Sequence, residues 1–233
     1  MKQRIIKLDL SKINEEEEEP PDFEENDGND TIADKDSAMY PDYGSADFWD
    51  KRYKIEFLPF DWYMPWKELQ PVIQPYIPAQ KEKSLVIGCG NSTMSFDLKN
   101  SGFPEVISID ISPAVIEKMK RKHPDLQWLI MDVADLKFDE NYFDIIFDKG
   151  TIDAITCSDD AKTLVKKSSQ ECFRVLKPNG IMFMVTYEKP NVRLSLMKRT
   201  KVPWKVLTPL FLPTNYKGTN DMGTYVYMFQ KIV

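Results

Sequence analysis

Several residue types and patterns are scarce in this chain, and each shortage removes a class of protein. There is one histidine, His123, and there are three cysteines, Cys89, Cys157 and Cys172. The cysteines are far apart and show no CxxC spacing, which argues against a zinc site and suits reduced thiols in a cytosolic or nuclear protein. His123 stands before Pro124 near the end of a predicted helix, so a histidine general base is not expected. No Ser/His/Asp arrangement, P-loop or metal-ligand spacing is present. No apolar run approaches the ~20 residues of a membrane span. The N-terminus has neither a signal-peptide core nor the Arg-rich, acid-poor character of a mitochondrial transit peptide.

Positive charge is also short. Residues 1–40 hold 13 Asp and Glu against 5 Lys and Arg, a net of −8. The whole chain is −6, which leaves residues 41–233 near +2. The folded part therefore has no strong basic face, and nucleic acid is not an expected partner. Within 1–40, a short apolar alternation (Ile5, Ile6, Leu8, Leu10, Ile13) gives way to Glu15–Glu19, Pro20-Pro21 and a Glu/Asp/Asn/Gly stretch. Like-charge repulsion and few large apolar groups make 1–40 an expected acidic, disordered tail. Residues 41–233, in a chain with 42% hydrophobic residues, are enough for one α/β domain.

What is present centres on Ser84 to Ser92. Leu85, Val86 and Ile87 form an apolar run suited to a strand buried on both faces. Gly88 and Gly90 allow a tight turn and close approach to a ligand. Asn91, Ser92 and Thr93 can cap a helix from Met94 to Lys99. Twenty residues after Gly90, the run Val106–Ile109 ends in Asp110, placed to accept hydrogen bonds from both ribose hydroxyls of a nucleoside. A dinucleotide fingerprint would have a third glycine where this chain has Thr93, so that a pyrophosphate could meet the helix. A ribose and adenine without phosphate fit better, which points to S-adenosylmethionine and methyl transfer.

The βα alternation continues through a helix from Pro113 to Lys122 with Ser112 as N-cap, and a third strand, Trp128–Met131, before Asp132-Val133. A fourth strand, Phe143–Phe147, precedes Asp148-Lys149-Gly150-Thr151. A helix from Ala161 to Leu176 is expected to stop at Pro178-Asn179-Gly180. Strands follow at Ile181–Tyr187, Trp204–Leu207 and Tyr225–Ile232, the last suited to an antiparallel position. Asp132 can accept from an adenine amino group, and the Val133 N–H can donate to a ring nitrogen. Asp148 and Lys149 stand where a methyl group would leave, as candidate catalytic residues. Asp148 would help capture a cationic amine while opposing its deprotonation.

Residues 41–80 are the densest aromatic region. Asp47 can cap a helix carrying Phe48, Trp49, Arg52 and Tyr53, and Leu69 to Ile77 reads as a second helix broken by Pro71 and Pro75. The aromatics suit either a core or a lid over the carboxyl ends of the strands. As a lid, Trp49, Tyr53 and Trp62 could stabilise a sulfonium by cation–π attraction, worth about 0.5–2 kcal/mol each. The Asn/Asp-Pro-Pro-Tyr/Phe signature of amino-methylases acting on adenine or glutamine is missing.

Phe48-Trp49-Asp50-Lys51-Arg52-Tyr53, Phe60-Asp61-Trp62-Tyr63, Leu85 to Ser92, Met131-Asp132-Val133 and Asp148 to Ala154 together resemble one branch of the class I (seven-strand) methyltransferases. That branch includes lysine methyltransferases of translation elongation factor 1-alpha and of mitochondrial citrate synthase. The resemblance runs from about Tyr43 to the C-terminus. It implies a Rossmann-like α/β fold, a mostly parallel seven-strand sheet with helices on both faces, and residues 41–80 as an aromatic lid. It implies cofactor contacts at Trp49, Tyr53, Trp62, Gly88, Asp110, Ile111, Asp132, Val133 and Lys149, beside Gly90 from the turn. The expected activity is cytosolic, monomeric protein-lysine methylation, with elongation factor 1-alpha as the expected substrate. The missing transit peptide counts against citrate synthase. A small-molecule methyltransferase and a catalytically silent cofactor-binding module are the alternatives, with Trp204 to Asn220 as the region of substrate choice.

Overall fold

Alternation within single strands explains the layers of this molecule, seen in a computed structural model that describes residues 5–13, 41–56, 58–213 and 223–232. In β2 (Lys83–Ile87), Val86 points to one face and Leu85 and Ile87 to the other. In β5 (Phe143–Lys149), Ile145 and Phe147 share the first face and Phe143 and Ile146 the second. These strands lie between two helical layers, so both faces must be apolar.

The first face is covered by α2 (Trp66–Ile73), α3 (Met94–Asn100) and α4 (Pro113–Lys122), through residues such as Leu69, Ile73, Leu98 and Ile116. The second is covered by α5 (Thr151–Ile155), α6 (Ala161–Val175) and α7 (Pro190–Arg199), through Ile152, Val165, Cys172 and Met197. The remaining strands are β1 (Ile6–Lys7), β3 (Glu105–Asp110), β4 (Gln127–Ile130), β6 (Leu176–Thr186), β7 (Trp204–Val206), β8 (Leu210–Pro213) and β9 (Gly223–Lys231). The sheet runs β1-β8-β9-β6-β5-β2-β3-β4, with β7 also on β9. The pairs β4–β3, β3–β2, β2–β5 and β5–β6 are parallel, and β9 is antiparallel to β6, β7 and β8.

Among the described residues, nine strands stand where seven were expected, and the surplus has two sources. β7 and β8 occupy successive stretches of one edge of β9, at Phe229–Lys231 and Gly223–Val226, and act as one interrupted strand. β1 adds itself antiparallel to β8, with Ile6 opposite Phe211 and Lys7 opposite Leu210. The expectation of a disordered 1–40 is therefore corrected at its start. Residues 14–40, which carry the acidic run, lie outside the described residues, as do 214–222 in the expected region of substrate choice.

Two further expectations change. Pro178-Asn179-Gly180 does not separate α6 from a strand, because β6 begins at Leu176 immediately after α6. The three residues are taken up as a bulge: Phe143 pairs with Leu176 but Ile145 with Ile181, and Asn179 adopts a left-handed φ of 65°. Pro71 does not break its helix either. α2 continues through it to Ile73 and then tightens into a 3-10 turn at Gln74–Tyr76.

Candidate active site

The strand order reverses between β2 and β5, and open α/β sheets bind ligands at the carboxyl ends of the strands beside such a switch. A cleft enclosing about 1190 Å3, part of it open to solvent, lies there. It is walled by Trp49, Tyr53, Trp62, Gly88, Gly90, Asp110, Ile111, Asp132, Val133 and Lys149. Side chains and turns that the sequence scatters over a hundred residues thus meet in one place.

The floor is made by the turn after β2. Gly88 and Gly90 have φ of 53° and 52°, the left-handed region that favours glycine. A Cβ on Gly88 would collide with the Thr151 side chain, and one on Gly90 would lie 2.6 Å from the Tyr53 hydroxyl. Asp110, at the end of β3, is buried; its Oδ2 accepts from the Gly90 N–H at 2.9 Å and its Oδ1 from the Ser112 N–H at 2.9 Å. Burial pushes its pKa up to about 6, against the pull of these backbone donors. Each carboxylate oxygen has two lone pairs, so both retain capacity for a ribose hydroxyl. Asp132 is exposed at the rim, where its Oδ1 accepts from the Ala134 N–H at 2.8 Å.

The roof is α1 (Ala46–Ile55) and the segment that follows it. Ser45, not Asp47, caps α1, accepting from the Phe48 N–H at 3.4 Å. Trp49 and Tyr53, four residues apart on one helical face, stack with ring centroids 5.8 Å apart. Trp49 Nε1 donates to the Tyr43 carbonyl at 2.8 Å. Arg52 lies over the rings of Trp49, Phe60 and Trp62 at 5.5–5.7 Å.

Two carboxylates that sequence reasoning does not single out as site residues fasten this roof. Asp50 Oδ1 accepts from Ser112 Oγ at 2.8 Å and the Ala114 N–H at 2.9 Å. The same carboxylate pairs with Lys54, and these contacts bring its pKa down to about 2. Asp61 Oδ1 accepts from Lys149 Nζ at 2.8 Å and from Ser92 Oγ. One oxygen thus ties the roof to the turn after β2 and to the end of β5. The only hint in the sequence is that both aspartates sit inside aromatic runs.

Lys149 and Asp148 part company. Along β5, Lys149 shares the face of Ile145 and Phe147, toward the roof, while Asp148 shares that of Ile146, toward α5. Lys149 is almost fully buried, and burial lowers its pKa while Asp61 raises it. Asp148 is 1% exposed and is not among the residues lining the cleft. Its Oδ1 accepts from the Thr151 and Ile152 N–H groups at 2.8 and 3.4 Å. It therefore caps the first turn of α5, where the unpaired backbone N–H groups favour a carboxylate. Burial, and the neighbouring Asp153, push its pKa up to about 7. Asp148, expected beside Lys149 as a candidate catalytic residue, thus stands behind the wall of the cleft, with Oδ1 on the start of α5.

These features suit S-adenosylmethionine. The cleft offers an acceptor for a ribose, a glycine floor that a Cβ would fill, and an aromatic roof. Its two cations, Arg52 and Lys149, are each engaged by a carboxylate, Glu56 and Asp61, which leaves neither poised for a phosphate.

A family model described as "Methyltransferase domain" matches residues 85–184. EEF1A lysine methyltransferase 4 of Mus musculus is 30% identical over 177 residues, covering 70% of this chain and 69% of that protein. The eEF1A lysine and N-terminal methyltransferase of Homo sapiens is 35% identical over 158 residues, covering 65% of this chain but 22% of that much longer protein. Among solved structures, a SAM-dependent methyltransferase from Methanosarcina mazei superposes with a TM-score of 0.55 at 18% identity, over 75% of this chain and 100% of that one. The N-methyltransferase NodS from Bradyrhizobium japonicum, in complex with S-adenosyl-L-homocysteine, gives 0.52 at 14% identity, over 70% and 83%.

Proposed function

This chain belongs to the S-adenosylmethionine-dependent protein-lysine methyltransferases related to EEF1A lysine methyltransferase 4, and on that premise we propose that its substrate is elongation factor 1-alpha. What carries the reading is the relationship over 177 residues joined to a cleft whose buried Asp110 stands ready for a ribose. The reading includes a monomer acting in the cytosol, a compartment that suits the free thiols of Cys89, Cys157 and Cys172. No helix among the described residues is long and apolar enough to cross a membrane.

When bound, S-adenosylmethionine would supply an electrophilic sulfonium methyl to a neutral amine, whose surplus proton would pass to solvent. The protein positions and desolvates. Asp110 would hold the ribose, Asp132 and Val133 the adenine, and the Gly88–Gly90 turn the amino-acid part. Trp49, Tyr53 and Trp62 line the roof and exclude water from the cleft. Lys149, held by Asp61 and the Trp62 carbonyl, ties the roof to the end of β5.

The test is incubation of recombinant elongation factor 1-alpha with radiolabelled S-adenosylmethionine and the enzyme, with Asp110→Ala as control. Labelled factor is expected with the wild type. The variant loses a charged acceptor, a loss of about 1.5–3 kcal/mol in cofactor binding. Labelling of other proteins only would move the substrate elsewhere. Cofactor binding without any labelling would favour a silent binding module.

A further inference from the structure

Past β5 the rim continues to β6, and a second group of side chains collects there, outside the nucleoside cleft. Tyr63 has φ of 64°, a left-handed conformation that a bulky aromatic adopts at a cost of about 1–3 kcal/mol. Its neighbours hold it there. The Tyr63 hydroxyl donates to Asp153 Oδ2 at 2.5 Å. The preceding carbonyl, of Trp62, accepts from Lys149 Nζ at 3.2 Å and from the Met64 N–H at 2.7 Å. The ring is set against Gly150, a residue of the cleft wall: a Cβ there would lie 3.3 Å from Tyr63 Cε2. Tyr187, from the end of β6, stands 6.3 Å from Tyr63 between ring centroids and is 59% exposed. Under the two rings, Asp153 Oδ1 accepts from Thr186 Oγ1 at 2.7 Å and is ion-paired with Arg193, which is 2% exposed.

We propose that Tyr63 and Tyr187 form the passage by which the acceptor amine reaches the cleft, and that the Tyr63 hydroxyl oxygen accepts a hydrogen bond from it. This rests on the lysine reading above and names the part of the site that would take the lysine. A hydroxyl whose proton is committed to Asp153 presents lone pairs only, so it can receive an N–H and leave the nitrogen lone pair free. Two ring faces suit both the cationic head and the methylene stem of lysine. A bare carboxylate would attract the ammonium but hold its proton. Here Arg193 balances Asp153, so the passage draws the amine without a net charge that opposes its deprotonation. Tyr63 is not the base: burial first, then Asp153, push its pKa up. Asp153 and Arg193 are positioning residues that act through Tyr63.

The experiment uses the full chain with recombinant elongation factor 1-alpha. Tyr63→Phe keeps the ring against Gly150 and removes only the hydroxyl; Tyr187→Ala changes an exposed side chain and spares the fold. Tyr63→Phe is expected to lower kcat about tenfold, the loss of one oriented hydrogen bond, with calorimetric affinity for S-adenosylmethionine unchanged. Tyr187→Ala is expected to raise KM for the protein several-fold and to weaken its capture in the presence of S-adenosylhomocysteine, where no turnover occurs. A Tyr63→Phe enzyme with kcat and KM within twofold of wild type overturns the passage while leaving the lysine reading intact. A wild type that binds cofactor and labels no protein overturns the lysine reading itself, and the passage with it.

Discussion

β5 and α1 border the same cleft, yet they are held in place by different forces. On β5, Phe143, Ile145, Ile146 and Phe147 are all buried between two helical layers. On α1, Tyr53 alone is buried, and the segment after it exposes Leu58 and Phe60. Beside the packing of Tyr53 and Met64, what fixes α1 and its sequel is largely polar: Asp50 on the start of α4, Asp61 on Ser92 and Lys149, and Asn91 Nδ2 donating to the Leu58 carbonyl at 2.7 Å. Apolar burial contributes about 25 cal/mol per Å2, whereas a hydrogen bond contributes about 0.5–1.5 kcal/mol net. The sheet therefore opens only when the whole domain unfolds, and the roof can open locally at a smaller free-energy cost. A methyltransferase must admit cofactor and release product beneath that roof, and the division of forces suits the task.

The largest effect should come from the sheet. Ile146→Ala leaves a cavity between β5 and the second helical layer that the two cannot close, and global stability should fall by about 2–5 kcal/mol in urea unfolding. Next comes the roof. Asp61→Ala leaves Lys149 buried without its carboxylate, a loss of about 3–5 kcal/mol if the ammonium had to stay buried. If the roof is separable, it lifts instead and lets the ammonium reach water. The loss in global stability should then stay under about 1.5 kcal/mol, the range of a typical net hydrogen bond, while amide exchange accelerates across residues 46–64 and cofactor affinity drops. A global loss as large as that of Ile146→Ala would show that roof and sheet unfold as one unit.

How far these two regions can be read from sequence differs in the same way. The β2 turn, the α4 cap at Ser112-Pro113 and the position of Asp110 depend on residues near one another in the chain, and all three stand where the pattern puts them. The ties of the roof and of the passage do not. Asp61 meets Lys149, and Tyr63 meets Asp153, across about ninety residues. Local periodicity holds no trace of such pairs. α5 has only five residues, too few for a period to show, and its cap, Asp148, reads as chemistry when the helix behind it is not seen. The bulge at Pro178-Asn179-Gly180 resembles a helix stop because its accommodation depends on pairing with β5. β1 escapes notice because two residues of strand next to a long acidic run carry little pattern of their own.

The buried acid behind the wall gives a smaller effect. Asp148 keeps its proton up to about pH 7 in the folded chain and to about pH 4 in an unfolded one. Between those values the folded state binds the extra proton, so stability falls as pH rises and is regained as pH drops. From pH 8 to pH 6 the gain should be about 1.4 kcal/mol. Asp110, at about 6, acts in the same direction but mostly below this window. His123, whose pKa burial lowers, acts oppositely. Comparing wild type with Asp148→Asn isolates the aspartate: the difference in unfolding free energy between the two should change by that amount across the window. A constant difference would mean that Asp148 is ionised throughout.

The smallest effect tests the far edge of the sheet. β1 contributes the pairing of Ile6 and Lys7 with β8 and one further bond, from the Leu8 N–H to the Pro209 carbonyl at 2.9 Å. Ile6 and Leu8 are only half-buried. Removing residues 1–13 should therefore cost about 1 kcal/mol and lower Tm by roughly 2–4 °C in a domain of this size. Cofactor affinity should not change, because β8 lies beyond β9, β6 and β5 from the cleft. The deletion also bares the edge of β8, whose Leu210 and Phe211 would then offer a strand for pairing with another chain. A concentration-dependent rise in mass by light scattering would mark that role for β1: a cover over an edge, more than a support for the fold. A truncated chain that stays monomeric and loses cofactor affinity would instead mean that the edge and the cleft are coupled through the sheet, and the contrast between apolar sheet and polar roof would need redrawing.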